Sequence, residues 1–140
     1  MSTNDASEYT GAYMAYVYNS VDLLQSQPLV GDGECVTLVR RYAHLGPTAT
    51  WRAGKKVWGD KSIPRGTAIA TFFNGRWPGR STGNHAAFYL DQDEHGIWVM
   101  DQWRTLVKIE KHQIRPKGGP NPNGSYPSAS SNAEAFFVIE

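Results

Sequence analysis

The chain has 140 residues, 14 Lys and Arg against 13 Asp and Glu, a net charge of +1 and 40% apolar residues. That balance argues against a duplex nucleic-acid binder, which carries a clear basic excess. No segment approaches the roughly 18 consecutive apolar residues of a membrane span. The single cysteine excludes an intramolecular disulfide and a thiolate-rich zinc site.

The length suits one domain over residues 1–140. The opening MSTNDASEYTGAY lacks the basic start and apolar stretch of a signal peptide. Synthesis as a soluble cytoplasmic chain is therefore expected, with export by a route other than general secretion if the protein works outside the cell. In residues 10–24, Met14, Val17, Val21 and Leu24 have the spacing of an amphipathic helix. PLVGDGE reads as a loop. A second helix is predicted over about 33–44, with Cys35, Leu38, Val39 and Tyr42 on one face, Asp32 as N-cap and Gly46-Pro47 as its stop. A short helix is expected over 49–58.

Beyond Ile63-Pro64-Arg65-Gly66 the texture turns to strands. Residues 67–73 read as a β-branched and aromatic strand, and 74–84 as a Gly-rich loop. Residues 85–90 and 97–103 form a hairpin across DQDEHG, and 106–109 extend the sheet. Residues 116–132 are a long Pro/Gly/Ser/Asn loop, of a length that is functional or disordered in small domains. Residues 135–139 close the sheet. Helices first and strands later give an α+β class with an antiparallel sheet.

Cys35 carries the chemical reading. A thiol in the first turn of a helix feels the positive end of the backbone dipole, which favours thiolate by about 0.3–1 kcal/mol. The nearby N–H groups can cradle an oxyanion, and Gly31 and Gly33 would let a substrate backbone approach. Taken alone, such a cysteine is more often a small buried hydrophobe.

A nucleophilic thiol needs a base. His44 lies two or more turns along the same helix, His95 sits among acids in the hairpin turn, and His112 falls in a polar stretch without context. His85, opening a strand before Ala86-Ala87, is the candidate. A third group should orient its ring. Asp101 and Gln102 are both available, on opposite faces of one strand, and the hairpin register decides between them.

Gly-Glu-Cys-Val at a helix start, Ile-Pro-Arg-Gly-Thr-Ala-Ile-Ala entering a strand, and Gly-Asn-His-Ala-Ala-Phe-Tyr together resemble the NlpC/P60 and CHAP amidases, compact papain-like enzymes. NGRWPGRSTGNHAAFYL looks most like the amidase effectors of type VI secretion. The resemblance covers roughly residues 28–103. It implies a papain-like fold with N-terminal helices on an antiparallel sheet, Cys35 as nucleophile, His85 as general base and Asp101 as third residue. It also implies peptidoglycan peptide as substrate, with either a stem bond or the cross-link cut, and no cofactor or metal. Delivery into the periplasm of rival bacteria follows from the same resemblance, as does an immunity protein plugging the groove. The competing readings are a non-enzymatic wall- or sugar-binding module using five Trp and seven Tyr, and a papain-like enzyme acting on a protein.

Overall fold

The computed structural model describes residues 15–140. Six strands form one sheet, all pairs antiparallel. They are β1 (Ala53–Lys56), β2 (Ala68–Thr71), β3 (Ala86–Asp93), β4 (Gly96–Asp101), β5 (Glu110–Ile114) and β6 (Phe136–Ile139), in the order β1-β6-β2-β3-β4-β5. One α-helix, α1 (Cys35–Ala43), lies among the described residues. The α+β class and the antiparallel sheet agree with the sequence reading.

Strand alternation gives the sheet two apolar faces. Ala68, Ala70, Ala86, Phe88 and Met100 pack with Leu38 and Val39 of α1. Ile69, Ala87, Tyr89, Val99 and Val138 form the opposite core, covered by Val57, Ile63 and Ala133 from the connecting loops. The helix-side face carries Cys35 at its margin, half-buried.

The expected set of N-terminal helices is corrected. Residues 10–14 lie outside the described part. From Ala15 the chain runs extended, with Val17 bridged to Thr67, Tyr18 N–H donating to Gly66 and Ala68 N–H donating to Tyr16. Val21 and Leu24 are buried through a 3-10 turn, Val21–Leu24, which satisfies the same three-residue spacing without an α-helix. Residues 49–58 hold a 3-10 turn, Thr48–Thr50, followed by β1. Pairing with β6 overrides local propensity there, while Trp51 is buried edge-on to Trp77. The strand expected at 106–109 starts at Glu110 instead, because backbone bonds tie Ile109 to Ser26 and Gln27.

Three buried side-chain amides hold the long connections. Gln92 accepts from Gly59 N–H at 2.7 Å and donates to the carbonyls of Val57 and Asp60. Asn132 accepts from the N–H groups of Lys117 and Glu134 and donates to the carbonyls of Gly118 and Pro127. The 116–132 loop is thus built onto one amide. The third, Gln102, belongs to the site.

Gly66 sits at φ +97, and a Cβ placed there would lie 2.2 Å from the Tyr18 carbonyl oxygen. Both the left-handed backbone and the close approach require glycine. Gly66→Ala should lower stability by about 2 kcal/mol or more, read as a drop in the urea midpoint at unchanged slope.

Candidate active site

Cys35 is the first residue of α1. The chain enters it through Gly31 and Gly33, at φ 57 and 81. A Cβ on Gly31 would meet Thr37 Cγ2 at 2.8 Å. Glycine there serves the turn, a different role from the substrate approach expected of it. Glu34 occupies the N-cap position without a side-chain capping bond. Asp32, expected at the cap, instead accepts from Glu34 N–H at 3.0 Å and Thr37 Oγ1 at 2.6 Å. It ties loop to helix from two residues upstream.

His85 directly precedes β3. Its N–H donates to Thr71 Oγ1 at 3.0 Å and its carbonyl accepts from Thr71 N–H at 2.9 Å, so β2 fixes its backbone. Its ring is 8% exposed by residue, and Nε2 donates to Asp101 Oδ2 at 2.7 Å. With Nε2 engaged, Nδ1 is the nitrogen left for Cys35, whose thiol is near enough to the ring to help raise its pKa.

Asp101 ends β4 and is 1% exposed. Its second oxygen, Oδ1, accepts from His112 Nδ1. His112 lies on β5 opposite Val99. Trp103 flanks both rings, 4.7 Å from His112 and 6.0 Å from His85, centroid to centroid.

The electrostatics follow from these contacts. Burial opposes charge on His85, but its bonds to Asp101 and Cys35 outweigh this and raise its pKa to about 9. Burial likewise opposes charge on Asp101, but the bonds from His112 and His85 hold its carboxyl below the ordinary value. His112 is raised, chiefly by its bond to Asp101 and against burial. Among the described residues no group of three or more His, Cys, Asp and Glu side chains is placed to hold a metal ion.

The strand end therefore brings Cys35, His85 and Asp101 together. Gln102, the alternative third residue, points to the other face and is fully buried. It accepts from Val30 N–H at 2.8 Å and donates to the carbonyls of Val30 at 3.1 Å and Glu34 at 2.8 Å. It fastens the loop that leads into Cys35. His44 terminates α1 in a left-handed conformation, and His95 is exposed in the β3–β4 turn. His112 and Trp103 are the residues the sequence reading missed. The polar run EKHQ conceals a strand, and period-2 pairing with β4 is the only signal that could have found His112.

A pocket of about 460 Å3 opens beside this cluster, reaching His85 and Asp101 and bounded by Trp103, Arg115, Lys117 and Ser131.

The family model Domesticated amidase effector 2 matches residues 2–139. The chain belongs to this family. It is 45% identical over 133 residues to the type VI secretion amidase effector 2 protein of Salmonella typhi, covering 91% of this chain and 100% of that protein. A solved structure of a type 6 secretion amidase effector 2 has a TM-score of 0.86 at 45% identity, over 89% of this chain and 94% of the other. The resemblance read from the glycine, cysteine and histidine blocks thus extends over nearly the whole chain.

Asp101 and Gln102 are neighbours with separable roles. Asp101→Asn should reduce turnover about a hundredfold or more while the fold persists. It should also move the basic limb of activity from about 9 toward the ordinary histidine value of 6.5. The sign follows from linkage: a histidine raised in the folded state contributes stability fully below about pH 6.5, and loses it as pH rises through about 9. Gln102→Ala should instead cost about 2–4 kcal/mol of stability by leaving buried backbone groups unpaired. Urea denaturation and kcat/KM against pH distinguish the two.

Proposed function

We propose that the protein is a cysteine-nucleophile amidase in which Cys35 attacks a peptide carbonyl, His85 moves the proton and Asp101 orients and charges the ring. The carrying observation is the buried His85 ring, bonded to Asp101 and in electrostatic reach of the thiol at the start of α1. The order of helix-borne cysteine, strand-opening histidine and acid on the following strand is the papain-like order.

In this reading the Cys35 proton already rests on His85 before substrate arrives, and the imidazolium is stabilised by Asp101. Sγ bonds to the carbonyl carbon. The resulting oxyanion faces the first backbone N–H groups of α1, which have no carbonyl partner four residues back. Collapse breaks the C–N bond, and His85 gives its proton to the leaving amine. Water then attacks the thioester, with His85 again as base. His112 acts through Asp101 by holding its second oxygen, and so is a positioning residue.

The proposed substrate is the peptide of peptidoglycan, either the stem bond or the cross-link. Support comes from membership of an amidase effector family and from 45% identity to a type VI secretion amidase effector. The protein would then be delivered by type VI secretion into the periplasm of target bacteria, and its producer would need an immunity protein covering the groove over Cys35. No helix among the described residues is long and apolar enough to cross a membrane.

Expression with an added periplasmic signal should lyse a Gram-negative host, and expression without it should not. Cys35→Ala should abolish lysis, and purified peptidoglycan should yield new amine termini only with the intact thiol. Equal toxicity from the cytoplasmic form, or from Cys35→Ala, contradicts the reading.

A further inference from the structure

We propose that the pocket beside His85 binds a free carboxylate on the leaving-amine side of the substrate, with Arg115 and Lys117 as its cationic partners. The proposal rests on the roles given above to Cys35 and His85.

The pocket's charge is one-sided. Among the described residues Asp101 is the only acid in its lining, and both of its oxygens are occupied by histidine nitrogens. Arg115 and Lys117 are exposed at the rim. Lys117 Nζ donates to the neutral Ser131 Oγ at 2.9 Å. Arg115 forms no ion pair among the described residues. Two cations without carboxylate partners, at the mouth of a cavity that ends on two buried ionisable groups, are suited to an anionic ligand. A carboxylate can be gripped by the guanidinium through two parallel N–H bonds.

The reaction geometry says which part of the substrate enters. When the Sγ–C bond has formed, the C–N bond breaks and its electron pair stays on nitrogen. That nitrogen takes the proton from His85, leaving an amine and a Cys35 thioester. The amine-side residue must therefore lie over His85, and His85 forms part of the pocket wall. The recognised carboxylate belongs to that residue and not to the acyl side retained on the thioester. Asn132 keeps the far wall in place, since Lys117 N–H and the Pro127 carbonyl are bonded to its side chain.

The test uses two synthetic peptides with the same scissile amide, the amine-side residue carrying a free carboxylate in one and a primary amide in the other. Exposed cations give modest energies, so wild type should favour the free acid about five- to tenfold in kcat/KM, mostly through KM, and less at high salt. Arg115→Gln with Lys117→Gln should collapse that preference. Lys61→Gln, whose charge lies outside the pocket, should keep it. Equal cleavage of both peptides by wild type, or a preference that survives in the double variant, overturns the proposal while leaving the hydrolase reading intact. Cleavage of neither peptide overturns the hydrolase reading, and the carboxylate site with it.

Discussion

The site depends on one buried carboxylate. Asp101 is 1% exposed, and an ionised carboxylate in that position is tolerable only when its oxygens are paired with donors. His85 takes one oxygen and His112 the other. The two imidazoles come from strands on either side of β4, so β3, β4 and β5 must lie adjacent for the charge to be buried at all. Pairing of β4 with both neighbours is therefore an electrostatic requirement of the site as well as a packing solution. Trp103, one residue beyond Gln102, lies against both rings.

Around that anchor the fold divides its labour by sheet face. The helix side carries α1 and the thiol. The other side carries the histidine–aspartate cluster and the open pocket. Cys35 and His85 meet only because both stand at the same end of the sheet, one at a helix start and one at a strand start. Loop order on the two sides is secured by single amides, Gln102 for residues 30–34 and Asn132 for 117–134. Such groups must be fully satisfied to be stabilising, and here every bond they make is to backbone separated widely in sequence or to a tight turn. The loops next to the chemistry are consequently fixed by a few specific bonds, with Val30 and Ala133 as their buried apolar anchors.

Much of this was legible in the sequence. The Cys35–Leu38–Val39–Tyr42 spacing located α1 to within two residues, and the alternating β-branched runs located β2, β3, β4 and β6. The family resemblance followed from the same blocks. What was not legible has particular causes. A bulge between Tyr89 and Asp91 inserts Leu90 into the β3–β4 ladder, and an inserted residue of this kind defeats any reading of register from alternation alone. Asp101 and Gln102 stayed ambiguous for that reason. His112 was invisible because β5 is a polar edge strand whose placement is set by tertiary bonds to Ile109. β1 and the segment before Val21 were read as helices because three-residue spacing and mixed polarity do not separate a 3-10 turn or an edge strand from an α-helix.

In the proposed mechanism Asp101 keeps His85 protonated in the resting protein. Nitrogen-15 NMR of the histidine rings, followed across pH, measures this at the atoms concerned. Both His85 nitrogens should carry protons through neutral pH, and the ring should lose one only near pH 9. A His85 ring that is neutral at pH 7 and titrates near the ordinary value of 6.5 would contradict it.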